Sequence, residues 1–330
     1  MPSRGARLRP PAEMLKKPII AVTMGDPAGI GPEVAVRASE RLRLRARLVW
    51  VGDPVVFQTA AHRHGVDQVS PIVTVSTLSA RDRRPGHPTA AGADAAYRSI
   101  LRAVELVQRG EANAIVTAPV SKQAIQALGI DFPGHTETIA SLAADAEVRM
   151  MMAGTSLRVV LVTTHVRLRD VPTRINRDNV LRTAEIADEA LRRDFGIRRP
   201  RLALAGLNPH AGEGGAFGDE EIRLLRPAVE AGRTRGLRLD GPHSPDTVFF
   251  RARQGEFDAV ISLYHDQGLI PFKLVHFTDG VNVTLGLPFP RTSPDHGTAF
   301  DIAGRGRADI SSMVSAVRLA ADMAERRRAS

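Results

Sequence analysis

Pro18-Ile-Ile-Ala-Val-Thr-Met24 runs directly into Gly25-Asp-Pro-Ala-Gly-Ile-Gly31-Pro-Glu33. A short, continuous apolar run followed by a glycine-rich turn that opens a helix is one unit of a parallel sheet buried on both faces. The same unit recurs along the chain. Further strands are expected at Leu48–Gly52, Ile72–Ser76, Ala114–Thr117, Val159–Thr163, Leu202–Ala205 and Ala259–Ser262. Between them, helical spacing of apolar residues marks Ala90–Arg109, Asn176–Phe195, Asp219–Arg235 and Ser311–Arg326. The fold class is α/β.

Composition narrows the function. The 330 residues correspond to roughly two domains. With 43% hydrophobic and 25% charged residues the chain can bury a large core, and disorder is excluded as its main state. The absence of cysteine removes disulfides, thiolate metal sites and cysteine nucleophiles together. A net charge of +9 first points to nucleic acid, but residues 1–17 carry +4 of it and residues 325–330 another +2. The remaining +3, with only 4% aromatic residues for base stacking, argues against a nucleic-acid partner. No run approaches the ~20 apolar residues of a membrane span, and the first apolar run lacks a signal-peptide cleavage pattern. A cytoplasmic location is expected.

Residues 1–17, rich in Arg and Pro, read as a disordered extension. Breaks at Gly129–Gly134 and around Gly280–Gly286 give two domains, one of residues 18–128 plus 284–330 and one of residues 129–283.

Several constellations carry chemistry. The Gly25–Glu33 turn has neither the dinucleotide spacing nor a Walker lysine, so it reads equally as a phosphate-facing loop or a structural turn. Three of the ten histidines lie just beyond apolar strands: His165, His210 and His265. One such His is commonly structural. Three delivered to the same sheet edge make a tris-imidazole metal site with open coordination positions, because ligands bind at the carboxyl ends of parallel strands. Asp246 and Asp266 lie nearby for orientation or general-base work. Gly134-His135-Thr136-Glu137 starts a helix and offers donors to an anion, or simply caps that helix. Lys273 and Arg291 suit a phosphate or carboxylate, though each alone reads equally as a surface charge. The loop Asp295-His296-Gly-Thr-Ala-Phe-Asp301-Ile-Ala-Gly304 is small and polar enough to admit adenine or ribose.

Together these strings resemble the 4-hydroxythreonine-4-phosphate dehydrogenase (PdxA) family of vitamin B6 biosynthesis. They run from Val22–Glu33 through Gly134–Glu137, Thr163–His165, Asn208–Gly215, Tyr264–Gln267 and Asn282–Arg291 to Ala303-Gly304, and cover residues 18–325. The resemblance implies a two-domain fold similar to isocitrate and isopropylmalate dehydrogenases, with the cleft at a homodimer interface. It implies divalent-metal ligands at His165, His210 and His265, the last supplied by the neighbouring subunit. Zinc is the first expectation, with magnesium or cobalt as alternatives. Substrate contacts are implied at His135, Thr136, Lys273, Asn282 and Arg291, and NAD (or NADP) contacts at His296, Gly297, Asp301 and Gly304. The implied reaction oxidises 4-phosphooxy-L-threonine to a β-keto acid that loses CO2. Sister branches acting on 4-phospho-D-threonate, D-erythronate phosphates or aromatic cis-dihydrodiols share the metal and fold motifs. A metal-dependent phosphosugar-binding protein without turnover is the non-enzymatic alternative.

Overall fold

A computed structural model of the chain describes residues 17–42, 46–67 and 69–329. The extension expected over residues 1–17 therefore lies, apart from Lys17, outside the described residues. The strands are β1 (Ile19–Thr23), β2 (Arg47–Gly52), β3 (Ile72–Thr74), β4 (Ala114–Val116), β5 (Arg149–Ala153), β6 (Arg158–Leu161), β7 (Arg201–Ala205), β8 (Arg238–His243), β9 (Ala259–Ser262), β10 (Val281–Leu285) and β11 (Arg291–Pro294). The helices are α1 (Gly31–Glu40), α2 (Pro54–His64), α3 (Ala90–Gln108), α4 (Lys122–Gln126), α5 (His135–Leu142), α6 (Val171–Arg174), α7 (Arg177–Arg193), α8 (Arg226–Thr234), α9 (Val248–Arg253), α10 (His265–His276) and α11 (Ser311–Ala329). Among the described residues no helix is long and apolar enough to cross a membrane.

The strands form one eleven-stranded sheet in the order β3-β2-β1-β4-β11-β10-β5-β6-β9-β7-β8. Both faces are covered, which is why the strands read as unbroken apolar runs. On β1, Ile20 and Val22 join the core cluster that holds α1 and α11 residues such as Val34 and Met313. Ala21 faces the other way, toward Ile100 and Val104 of α3. On β6, Val159 and Leu161 pack with Leu269 and Phe272 of α10, while Val160 belongs to the opposite face with Val180 and Ala184 of α7.

The sheet is not wholly parallel. β10 runs antiparallel to both β11 and β5, and β5 antiparallel to β6. The expected break around Gly280–Gly286 is therefore a strand: the two glycines bracket β10, whose Val281, Val283 and Leu285 are buried. The proposed boundary at 283/284 falls inside it, so the two segments meet in continuous hydrogen bonding. By contrast, Gly129–Gly134 is the irregular stretch that precedes α5.

Candidate functional site

β6, β9 and β7 are parallel neighbours, and their carboxyl ends carry His165, His265 and His210. The His165 and His265 rings lie 5.8 Å apart between centroids. His265 opens α10, and its Nδ1 is 2.6 Å from Oδ1 of Asp266, a contact that would fix the tautomer and aim Nε2 outward. His210 sits on a left-handed turn, since His210, Ala211, Gly212, Glu213 and Gly214 all have positive φ. Conformations of this kind cost free energy at non-glycine residues and persist only where their surroundings hold them. Here the buried Glu221 does so. Its Oε1 accepts the backbone N–H of Leu207 and Asn208, each at 2.8 Å, and its Oε2 accepts the Asn208 side-chain amide at 2.9 Å. The imidazole donors suit zinc or a similar ion. Yet among the described residues of one chain no group of three His, Cys, Asp or Glu is gathered closely enough to hold a metal, although the His165 and His265 rings come together.

Beside this edge lies a cavity of about 380 Å³ whose lining includes His135, Thr136, His165, Lys273, Asn282 and Arg291. All five substrate-contact candidates, drawn from α5, α10, β10 and β11, meet there. Arg291 is 2% exposed. Its guanidinium donates to Oγ1 of Thr117 at 2.6 Å and Oγ1 of Thr284 at 3.1 Å, which leaves Nε without a partner. Burial pulls its pKa down to about 10, against the pull of the nearby Glu137 carboxylate. The His135 ring is driven to about 3, first by burial and then by the Arg291 charge, so it is a neutral imidazole near pH 7. Lys273 Nζ is 3.1 Å from Oδ2 of Asp295.

Nine buried polar side-chain atoms among the described residues lack a hydrogen-bond partner, and five line this one cavity: His135 Nε2, Asn282 Oδ1, Arg291 Nε, Asp295 Oδ2 and His296 Nε2. Buried polar atoms are ordinarily satisfied, so such a cluster marks a place built to receive a polar ligand.

The remaining candidates divide. His296 and Gly297 reach the cavity, but Asp301 and Gly304 do not line it. Gly304 donates its N–H to Glu33 Oε2 at 3.0 Å, within the loop's seat on the Gly25–Glu33 turn. That turn is built for the loop: Ile30 N–H donates to the Thr298 carbonyl at 2.9 Å, and a Cβ on Gly29 would come within 2.9 Å of the same oxygen. Asp246 and Asp266 line a different recess, an apolar groove of about 570 Å³ with Phe249, Phe250, Ile270 and Leu274. Asp246 takes a hydrogen bond from the Ser244 hydroxyl, which holds its carboxyl below the usual range.

Thr117, Thr284, Glu221, Gln267 and Asp295 were not singled out by the sequence reading. Gln267 ties β9 to β7: its Oε1 accepts from Leu263 N–H at 2.7 Å and its Nε2 donates to the Gly206 carbonyl at 2.6 Å. Nothing local signals Thr117, Thr284, Glu221 or Gln267, whose roles appear only once separate elements are packed together. Asp295 alone had a cue, as the acidic start of a loop already marked for its polar glycines.

A family model described as pyridoxal phosphate biosynthetic protein PdxA matches residues 33–320. A 4-hydroxythreonine-4-phosphate dehydrogenase from Geobacter metallireducens is 48% identical over 326 residues, covering 93% of this chain and 96% of that protein. The crystal structure of 4-hydroxythreonine-4-phosphate dehydrogenase from Klebsiella pneumoniae aligns with a TM-score of 0.83 at 42% identity, covering 94% of this chain and 98% of the other. A terephthalate 1,2-cis-dihydrodiol dehydrogenase from Burkholderia xenovorans aligns with a TM-score of 0.68 at 32% identity, covering 92% and 97%. By a match that spans most of its length and by relatives nearly half identical along it, the chain belongs to the PdxA family.

Proposed function

We propose that the chain is an NAD-dependent, metal-dependent dehydrogenase that oxidises the C3 hydroxyl of 4-phosphooxy-L-threonine in pyridoxal phosphate biosynthesis. The observation that carries this reading is the cluster of buried polar atoms without hydrogen bonds around Lys273 and Arg291 in one small cavity. A substrate with a phosphate, a carboxylate and polar groups between them would satisfy those atoms. Arg291, held rigid by two threonines, presents a fixed donor to an oxyanion, and Lys273 supplies a mobile point charge. Neutral His135, Thr136 and Asn282 supply hydrogen bonds without adding charge.

The metal ligands in this reading are His165, His210 and His265. These imidazoles would hold a divalent ion such as zinc, which would supply Lewis acidity, and His296, Gly297, Asp301 and Gly304 would hold NAD, which would supply the hydride acceptor. On its own chain neither Asp246 nor Asp266 lines the cavity, so the hydroxyl proton would pass to Asp266, already hydrogen-bonded to His265, or to Asp246 of the neighbouring subunit. The product is 2-amino-3-oxo-4-phosphooxybutanoate, a β-keto acid, which loses CO2 to give 3-amino-2-oxopropyl phosphate.

The working unit in this reading is a homodimer. α10 exposes Ile270 (68%), Leu274 (87%) and, just beyond its end, Phe277 (75%), close to Phe250 (65%). An apolar face of this size beside His265 fits an interface between copies. It would bring one subunit's His265 and Asp266 toward the other's cavity.

The test is NADH formation with metal present, across 4-phosphooxy-L-threonine, 4-phospho-D-threonate, 4-phospho-D-erythronate and a terephthalate cis-dihydrodiol. Turnover of the first with release of CO2, abolished by chelator, is the expected result. Turnover of another substrate alone overturns the assignment, and binding without NADH formation returns the binding-protein reading.

A further inference from the structure

We infer that Glu33 is a positioning residue for the cofactor: with Arg37 it clamps the end of the loop Asp295–Gly304 against α1 and so sets the affinity for NAD without touching it. The inference rests on the proposed dehydrogenase reading and deepens it, because it gives a task to the Gly25–Glu33 turn, which that reading leaves unused. A glycine-rich turn that opens a helix suits a pyrophosphate while its N–H groups are free. Here they are taken. Asp26 N–H donates to the Pro119 carbonyl at 2.9 Å, Ala28 N–H to Asp26 Oδ1 at 2.9 Å, Gly29 N–H to the Asp26 carbonyl at 3.0 Å and Ile30 N–H to the Thr298 carbonyl at 2.9 Å. These donors hold the turn together and join it to the loop.

Glu33 lies in the first turn of α1 and is 3% exposed. Its Oε2 accepts the Gly304 N–H at 3.0 Å, and His64 Nε2 stands 3.8 Å from the same oxygen. Its Oε1 accepts from Nη1 of Arg37 at 3.1 Å, and that nitrogen also donates to the Ala308 carbonyl at 2.9 Å. One buried carboxylate therefore holds the chain at 304 directly and at 308 through Arg37. Gly304 has a φ of +73°, and a Cβ there would come within 2.6 Å of the Arg63 guanidinium and 2.9 Å of Pro85, so the backbone is pressed closely into this seat. Hydrogen bonds to a charged group are about twice as strong as neutral ones, which suits an anchor. The far end of the loop fits a ligand. His296 Nε2 is buried without a hydrogen bond, Gly297 has nothing within 4 Å of where a Cβ would stand, and both line the cavity. A loop that must keep His296, Gly297, Asp301 and Gly304 in one arrangement loses affinity when an anchor is cut, because binding must then also order it.

The test uses the full-length, metal-loaded protein and measures NAD binding by calorimetry for wild type, Glu33→Ala and Glu33→Gln. Arg37→Met, at a half-buried position, cuts the second arm of the clamp and guards against misfolding of the Glu33 variants. The unreactive analogue 2-amino-4-phosphooxybutanoate and a metal titration are the controls. Losing hydrogen bonds to a charged group should weaken NAD binding on the order of 10- to 100-fold in Glu33→Ala, and less in Glu33→Gln, which keeps one acceptor, and in Arg37→Met. Affinities for the analogue and the metal should stay within about threefold of wild type. KM for NAD should rise while KM for the substrate holds, and hydrogen exchange across residues 298–304 should quicken in the same order of variants. Equal losses for NAD and the analogue would mean that Glu33 only supports the fold, and they overturn the inference. Faster exchange of the loop with unchanged NAD affinity overturns it too. A wild type that binds and reduces NAD while every variant keeps that affinity sinks this inference alone. A wild type without affinity for NAD sinks the proposed dehydrogenase with it.

Discussion

At the scale of single residues, the informative contrast is between charges that are fixed and charges that are free. Arg291 has two of its nitrogens committed to Thr117 and Thr284, so a lysine in its place could not reproduce the fork. Arg291→Lys should lower kcat/KM by 10- to 100-fold, about 1.5–3 kcal/mol for a lost charge-assisted bond, mainly through KM. Metal content, read by elemental analysis, should not change. His135 gives a prediction in pH. Its folded pKa, about 3, lies below the ordinary value of 6.5, so between those limits the unfolded chain binds the extra proton. Stability from this group is complete above about 6.5 and is lost as pH falls toward 3, by up to roughly 1.4 kcal/mol per unit. In chemical unfolding between pH 6.5 and 5, His135→Gln should lose less stability than wild type; identical slopes would show that the ring is not buried neutral. His135 is legible in sequence as the start of a helix after a Gly/Pro break, and Arg291 as the companion of Lys273, one of only four lysines, in a set suited to an anion. The threonines that hold Arg291 were not legible, since a hydroxyl on an apolar strand looks like any other β-branched residue.

Elements set the next limit. The left-handed turn at His210–Gly214 depends on Glu221, which is recruited from the short helical stretch that follows it. Glu221→Ala would leave the half-buried N–H groups of Leu207 and Asn208 without acceptors. A loss of about 2–6 kcal/mol is expected at roughly 1–3 kcal/mol for each stranded group. Metal affinity should fall as well if His210 is a ligand. Calorimetric unfolding and metal titration on the same sample would separate the two effects, and a variant of wild-type stability would refute the anchoring role. Seven strands are legible to within two residues because each carries a short run rich in β-branched or other apolar residues, buried along most of its length except in the edge strand β3. β5, β8, β10 and β11 escaped notice for physical reasons. β5 is largely methionine rather than β-branched, β8 and β11 carry proline, and β10 lies between glycines that mimic a linker.

For the whole molecule, the exposed face of α10 is the surface that the proposed dimer would use. Leu274→Glu, placed where the side chain is 87% exposed, should leave the monomer's fold intact but shift sedimentation from dimer to monomer and abolish turnover together. Retained activity in a monomeric variant would exclude a shared site. Mixing inactive His165→Ala and His265→Ala chains should restore activity if each site draws on two subunits, because one site in the mixed dimer would then hold neither defect. The α/β class and the strand-end position of the chemistry were readable from periodicity, whereas the way two separated segments share one sheet was not. That sharing governs how the site breathes. β10 is laced to β11 on one side and β5 on the other, and Asn282 and Arg291 in those strands form part of the cavity wall. For the two halves of the molecule to swing apart, this hydrogen-bonded ribbon would have to twist. Elasticity of that ribbon, rather than hinge freedom, would set the amplitude of opening, and the amides of residues 281–285 should be among the slowest in the protein to exchange with solvent.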